Sequence, residues 1–381
     1  MSLSNDQDIL GYDANHFLQG SGIALDVGSN DLGSAASRLN LQLSGTDPLS
    51  VNAANGWLNV RDTTFFTLGN VTVDQRFDLM SVGAVDLAGD LTATSLRFDL
   101  GGALSASGAP QVNVSDELEI SASAIQLAAA AISAGSARLE ATAGALSVGD
   151  LSATNGDLSL LAGGALITSG IVDAQGKLIA DAQSISMNNG SSWQGSGGAT
   201  LTAIDDMSLQ ALTFGGDLDV DSTTGSVLFA GPVSALDIDV FAATGIEAQS
   251  AVTGSSLVLN GGTGMLVAGE AASLTSTTDG ITLTGSAIAL DVDSTVKSAG
   301  DFKVTSQSGD IVLGHVESGG RAELNSAGNV LLNRAVSSAE DLNVGAIGAV
   351  AMAAGALVES GGKVDIQAAR LTMDAGSRLD A

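Results

Sequence analysis

The hydrophobic positions of this chain follow two periods at once. Over short stretches they alternate, as in Leu218-Asp219-Val220 and Leu236-Asp237-Ile238-Asp239-Val240, which is the period of a strand with one buried face. Over longer stretches an apolar–x–apolar triplet returns about every 20 residues. It reads Phe77-Asp78-Leu79, Phe98-Asp99-Leu100, Leu118-Glu119-Ile120, Leu139-Glu140-Ala141, Leu158-Ser159-Leu160 and Leu178-Ile179-Ala180. It continues from Leu201, Leu218, Ile238, Leu257, Phe302, Ala322, Leu342 and Val364. Most steps are 19 to 21 residues, with excursions to 17, 22 and 23, and the 45 residues from Leu257 to Phe302 fit two long turns through Ile281. Such a period predicts stacked units, none large enough to bury its own apolar face.

The C-terminal part shows the predicted unit most clearly. Phe302 and Val304 alternate on a first strand, residues 306–310 turn the chain, Ile311 to Leu313 make a second strand, Val316 marks a third, and Ser318-Gly319-Gly320 form a corner. The order repeats through Ala322, Val330 and Val336, then through Leu342, Val350 and Leu357. Three short strands per unit, with Gly, Ser, Asn and Asp at the corners, predict one coil of a parallel β-helix. Glycine suits corners because it takes positive φ freely. About 19 coils stacked ~4.8 Å apart would make a rod of roughly 90 Å. A leucine-rich repeat needs a recurring Asn or Cys and a helical segment, and neither recurs here. The Ala-rich run from Ala122 to Ala137 keeps the alternation at Ile125 and Leu127, so a strand is predicted there too. Residues 1–60 read as less regular first coils, although Ile23 and Leu25, Leu39 and Leu41, and Leu58 and Val60 still fit; residues 61–381 read as the regular repeat.

The residues flanking each triplet should point to solvent and stack coil upon coil. Aligned on the triplets, the leading column reads Arg76, Arg97, Glu117, Arg138 and later Asp301, Arg321, Asp341, Lys363. The trailing column reads Asp78, Asp99, Glu119, Glu140 and later Lys303, Glu323, Asn343, Asp365. With Lys177 before Leu178, seven of the 13 basic residues fall in these two columns. Opposite charges on adjacent strands add about 0.2–1 kcal/mol each and help to fix register.

Composition narrows the function classes. The chain has 381 residues, 45% hydrophobic and only 3% aromatic, so its core should consist of Ala, Val, Leu and Ile. A formal charge of −29, with no Lys or Arg between residues 178 and 296, makes nucleic acid and anionic bilayers poor partners. There is no Cys, hence no disulfide or thiol chemistry. Residues 1–8 lack a basic and an apolar region, so no signal peptide is legible, and no run of 18 apolar residues suggests a membrane span. The chain ends inside a repeat, at Arg378-Leu379-Asp380-Ala381, and reads as part of something longer.

Little in the chain suggests catalysis. The two histidines, His16 and His315, are far apart in a stacked fold, and Trp57 and Trp193 are isolated. No catalytic, cofactor or metal residue is assigned, and a non-enzyme is expected. Gly261-Gly262-Thr263-Gly264-Met265 lacks the Asp of a calcium β-roll and does not repeat. The acidic ladder Asp217, Asp219 and Asp221, with Asp237 and Asp239 one unit on, is a candidate oxygen cluster for calcium; a solvated acidic face is the simpler reading. Thr92-Ala93-Thr94 and Thr282-Leu283-Thr284 are similar to the flat Thr ladders of ice-binding β-helices, but such pairs do not recur in one column of the triplet alignment. The sequon Asn70-Val71-Thr72 carries no weight without a host.

The units Gly176-Lys177-Leu178-Ile179-Ala180-Asp181-Ala182, Gly300-Asp301-Phe302-Lys303-Val304, Gly328-Asn329-Val330-Leu331-Leu332 and Gly361-Gly362-Lys363-Val364-Asp365-Ile366-Gln367-Ala368 resemble repeats of filamentous haemagglutinin-like exoproteins. The resemblance covers roughly residues 60–381 and is one of repeat style and composition. It implies a right-handed parallel β-helix, export by two-partner secretion through an outer-membrane partner, display at a bacterial surface or release, and adhesion to polysaccharide, host or bacterial surfaces, biofilm matrix included. Pro48, Pro110 and Pro232 lie outside the Asn-Pro-Asn motifs of the family's secretion domain, and Ser308-Gly309-Asp310 is not an Arg-Gly-Asp triplet. The expected role is the shaft of an adhesin. A carbohydrate-binding face on the helix is the alternative, and a polysaccharide lyase or hydrolase or a toxin-delivery stalk follow behind.

Overall fold

Each coil closes through three short strands, and the next coil lays its own three beside them. The structure is a computed structural model and describes residues 1–381 apart from residues 12–15, 45, 46, 62 and 271. One coil consists of Phe302–Ser306 on a first face, Ile311–Leu313 on a second and His315–Ser318 on a third. Phe302 pairs in parallel with Ala322, Ile311 with Val330, and Val316 with Val336. The chain is thus an all-β, right-handed parallel β-solenoid of about 19 turns, with no helix among the described residues. Leu257 pairs with Ile281 and Ile281 with Phe302, so the long interval is two turns, as its length predicts. The Ala-rich segment lies within the strands Gln111–Ala122 and Ile125–Ala141, with Ile125 and Leu127 buried.

Two compact units divide the chain, Met1–Ser196 and Gly197–Ala381. In the first unit the early coils are already in register: Leu39 pairs with Leu58, and Leu58 with Leu79. In the second, Leu218 pairs with Ile238 and Ile238 with Leu257. Alternate residues of each strand point inward and stack into apolar columns, which is why the strands read buried–exposed–buried. The core is not confined to aliphatic side chains. Phe66, Phe77, Phe98 and Trp193 in the first unit, and Phe229 and Phe302 in the second, are fully buried. Phe77 and Phe98 meet edge to face at 5.9 Å, the arrangement their ring quadrupoles favour.

The structure keeps the charge columns of the second unit, where Lys303, Glu323, Asn343 and Asp365 pair in that order, and corrects their register in the first. Phe77 pairs with Leu96, not Phe98; Leu96 pairs with Leu118, and Leu118 with Ala137, not Leu139. A strand of the form apolar–x–apolar–x–apolar offers two equivalent anchors two residues apart, and hydrophobicity cannot choose between them. The shift regroups the charges. Asp78, Arg97, Glu119 and Arg138 form one column of alternating sign, with Arg97 Nε 3.5 Å from Glu119. Arg76 and Glu140 join it from within their own strands, at 3.4 Å from Asp78 and 2.7 Å from Arg138. Arg38 reaches the same column from two coils earlier and places Nη1 2.9 Å from Asp78 Oδ1. That contact is ionic and off the hydrogen-bonding axis; the guanidinium donates instead to the Asp78 carbonyl, at 3.2 Å.

Many other acids are occupied at corners. Asp301 Oδ1 accepts the backbone N–H of Arg321, Asp310 that of Asn329, and Asp341 that of Lys363, at 2.7–2.9 Å. In the first unit Asp150 and Asp157 do the same for Ile171 and Lys177. These N–H groups sit at strand starts, where the ladder leaves them without a carbonyl. In every one of these pairs a glycine precedes the capped residue, and a Cβ there would collide with the carboxylate oxygen. Steric exclusion, not positive φ, therefore explains Gly320, Gly328 and Gly362; positive φ applies at Gly190 and Gly355. Serines close corners of this kind from inside. Ser276, Ser298 and Ser326 are buried, and each donates to the carbonyl three residues on, at 2.8–2.9 Å, which leaves no buried hydroxyl unpaired there.

Candidate functional site

The residues singled out for chemistry do not assemble into a reaction centre. His16 belongs to the first unit and His315 to the second. His315 Nε2 lies 2.8 Å from Glu317 Oε1, and Lys297 Nζ lies 3.4 Å from the other carboxylate oxygen. The hydrogen bond from His315 holds the Glu317 carboxyl below the usual glutamate value, assisted by Lys297. Trp193 is a core residue whose Nε1 donates to the buried Thr168 hydroxyl at 3.1 Å.

The acidic ladder of the second unit is real but open. Asp219 stands directly beside Asp239, whereas Asp221 faces Phe241. Asp217 accepts a long 3.4 Å contact from the Asp237 N–H, and Asp237 accepts the Ser256 hydroxyl at 2.9 Å. Partial burial, reinforced by the Asp219 charge, pushes the Asp239 carboxyl above its ordinary value. Among the described residues no three His, Cys, Asp or Glu side chains form a group that could hold a metal ion.

A different surface emerges from the coil register. On the third face of the first unit, Asn52, Thr72, Thr92, Asn113, Ser133 and Ser152 occupy one outward column, each beside the next. Asp26 precedes this run and Asp173 follows it. Two residues further along each strand a second row carries Asp74, Thr94, Ser115 and Thr154. Between the rows Val73, Ala93, Val114, Ala134 and Ala153 point into the core. From Thr72 to Ser133, and with Thr154, the two rows line a groove of about 490 Å³. The Thr94 and Thr154 hydroxyls donate to the carbonyls of Asp74 and Ala134, at 2.8 and 3.0 Å, so their lone pairs face outward in a fixed direction. Thr92-Ala93-Thr94 has no second Thr-x-Thr pair beside it, as the sequence suggested, but Thr72-Val73-Asp74 and Asn113-Val114-Ser115 flank it in register as small polar pairs. The signal was present as small polar–apolar–small polar in Thr72-Val73-Asp74, Asn113-Val114-Ser115 and Ser152-Ala153-Thr154. Thr282 stacks between Val258 and Lys303 and belongs to no such row.

Fold and surface define a parallel β-solenoid repeat protein with a polar groove on one face. No family model, no curated protein and no solved structure matches the chain.

Proposed function

We propose that the chain is shaft material of a secreted bacterial surface adhesin of the filamentous haemagglutinin type. In this reading an outer-membrane partner exports the full-length protein, and the solenoid mediates attachment to cells, host surfaces or biofilm matrix without catalysis. One observation carries it: within each unit, coil after coil pairs in parallel register, as Phe302, Ala322, Leu342 and Val364 do. Such stacking generates side-chain columns that repeat along the fold, a surface suited to many weak contacts with a repetitive target. Beads coated with the chain should adhere to bacterial cells or to their extracellular matrix. Retention no better than that of beads bearing an unrelated protein of equal size and charge would end this reading. The groove on the third face favours a second reading within it, in which the solenoid itself binds carbohydrate.

A further inference from the structure

The geometry points to an extended, uncharged polysaccharide, a β-linked pyranose chain, as the occupant of the third-face groove of the first unit, lying along the column from Thr72 to Ser133. This rests on the carbohydrate-binding reading above and gives it a site, a direction and a charge.

Three independent features select the occupant. The first is unspent hydrogen-bonding capacity. Among the described residues the side chains of Thr72, Thr92, Asn113, Ser133 and Ser152 make no hydrogen bond to the protein, although neighbouring polar columns are consumed by caps and ion pairs. Hydroxyls and carboxamides both donate and accept, as sugar hydroxyls do. The second is charge. In a chain of net charge −29 the groove is lined by a single carboxylate, Asp74, at one end. Acidic residues elsewhere on the protein repel a polyanion, and the groove offers no cation to offset that repulsion. The third is spacing. Successive rungs lie ~4.8 Å apart, close to the length of one sugar in a fully extended chain, so successive pyranoses meet successive rungs and alternate ones present the same face. No aromatic side chain lines the groove, so binding gains little per sugar and accumulates with the number of rungs engaged.

Affinity electrophoresis of the intact chain tests this, with hydroxyethyl cellulose as the neutral β-linked probe and carboxymethyl cellulose as its anionic counterpart. Retardation is expected in the neutral gel and not in the anionic one. In titrations with cello-oligosaccharides, affinity should rise with each added sugar until the row is filled. A variant carrying Asn113→Glu and Ser133→Glu should lose at least tenfold in affinity. Gln126→Glu with Ser147→Glu, outward on the second face of the coils that carry Ser133 and Ser152, should leave binding unchanged. Circular dichroism verifies that both variants are folded. The assignment fails if the chain is not retarded by the neutral polymer, if the anionic polymer retards it equally, if affinity is independent of oligosaccharide length, or if the groove variant binds like the control. Bead adhesion that survives any of these results leaves the shaft reading standing and removes only the groove.

Discussion

Asp301 Oδ1 accepts the backbone N–H of Arg321 at 2.8 Å, immediately beside the point where a Cβ on Gly320 would sit. A carboxylate from one coil thus caps the next and dictates a glycine there. The same relationship joins Asp310 to Gly328 and Asp341 to Gly362. It gives a physical reason for the Gly-x-apolar openings of the repeats and for part of the chain's acidity.

Gly320→Ala should displace the Asp301 carboxylate and break its bond to Arg321, at a cost of about 1.5–3 kcal/mol for a charged acceptor. Asp301→Ala alone loses the same bond. The double variant should lose less than the sum of the two single losses, because the carboxylate oxygen is then gone and the alanine methyl meets only the backbone of Gly300 and Asp301 at 3.0 Å. Amide exchange at Arg321 and denaturant midpoints read this cycle; additive losses would show that the glycine serves another purpose.

Asp78 is nearly buried, with 5% of its side chain exposed, and depends on Arg38 more than on the exposed Arg76. Arg38→Met should destabilise the first unit by about 1–3 kcal/mol, below the full cost of an unpaired buried charge because Arg76 remains. Adding Asp78→Asn should recover most of that loss. Urea unfolding followed by near-ultraviolet signals of the first unit checks it, and failure of the second substitution to rescue would discount the ion pair.

Two aspartates of the second unit should respond to pH in opposite senses. Asp239 is raised by burial and by Asp219, so its ionised form opposes folding above its folded pKa. That penalty fades as pH falls and is absent once unfolded aspartate, near pKa ~3.9, is also protonated. Asp239→Asn should therefore stabilise at pH 7 and do nothing at pH 3. Asp206 is lowered by hydrogen bonds from the Ser226 N–H and hydroxyl. Its contribution is complete above pH ~4 and disappears as pH falls through its folded value, so Asp206→Ala should destabilise at pH 7 and have little effect in strong acid. Both sites are largely solvated, and each effect should stay within about 1 kcal/mol. Thermal midpoints at the two pH values decide the signs.

Deleting residues 302–321 removes one whole coil. Ala322 then takes the place of Phe302 against Ile281, and Val336 that of Val316 against Val296. Because each coil contacts only its neighbours, the shortened chain should keep its far-ultraviolet dichroism and its protease resistance. Deleting residues 302–311 instead removes a face from the coil and should produce a protease-sensitive chain. Equal behaviour of the two deletions would contradict the coil as the unit of folding.

The sequence by itself determined the strands, the coil and the stacking, because period-two alternation within a 20-residue repeat has few other ways to bury its apolar residues. It even resolved the two long turns through Ile281. The placement of one coil against the next it left open by two residues, since Phe77-Asp78-Leu79 and Leu96-Arg97-Phe98 present equivalent apolar faces at either alignment. Backbone pairing and packing chose between them. That choice alone decided that Arg97 faces Asp78 and Glu119, and the pairing of the third-face strands decided that Thr92, Asn113 and Ser133 stand in line. Neighbours across coils are some 20 residues apart in sequence, and only the closed backbone ladder determines which of them touch.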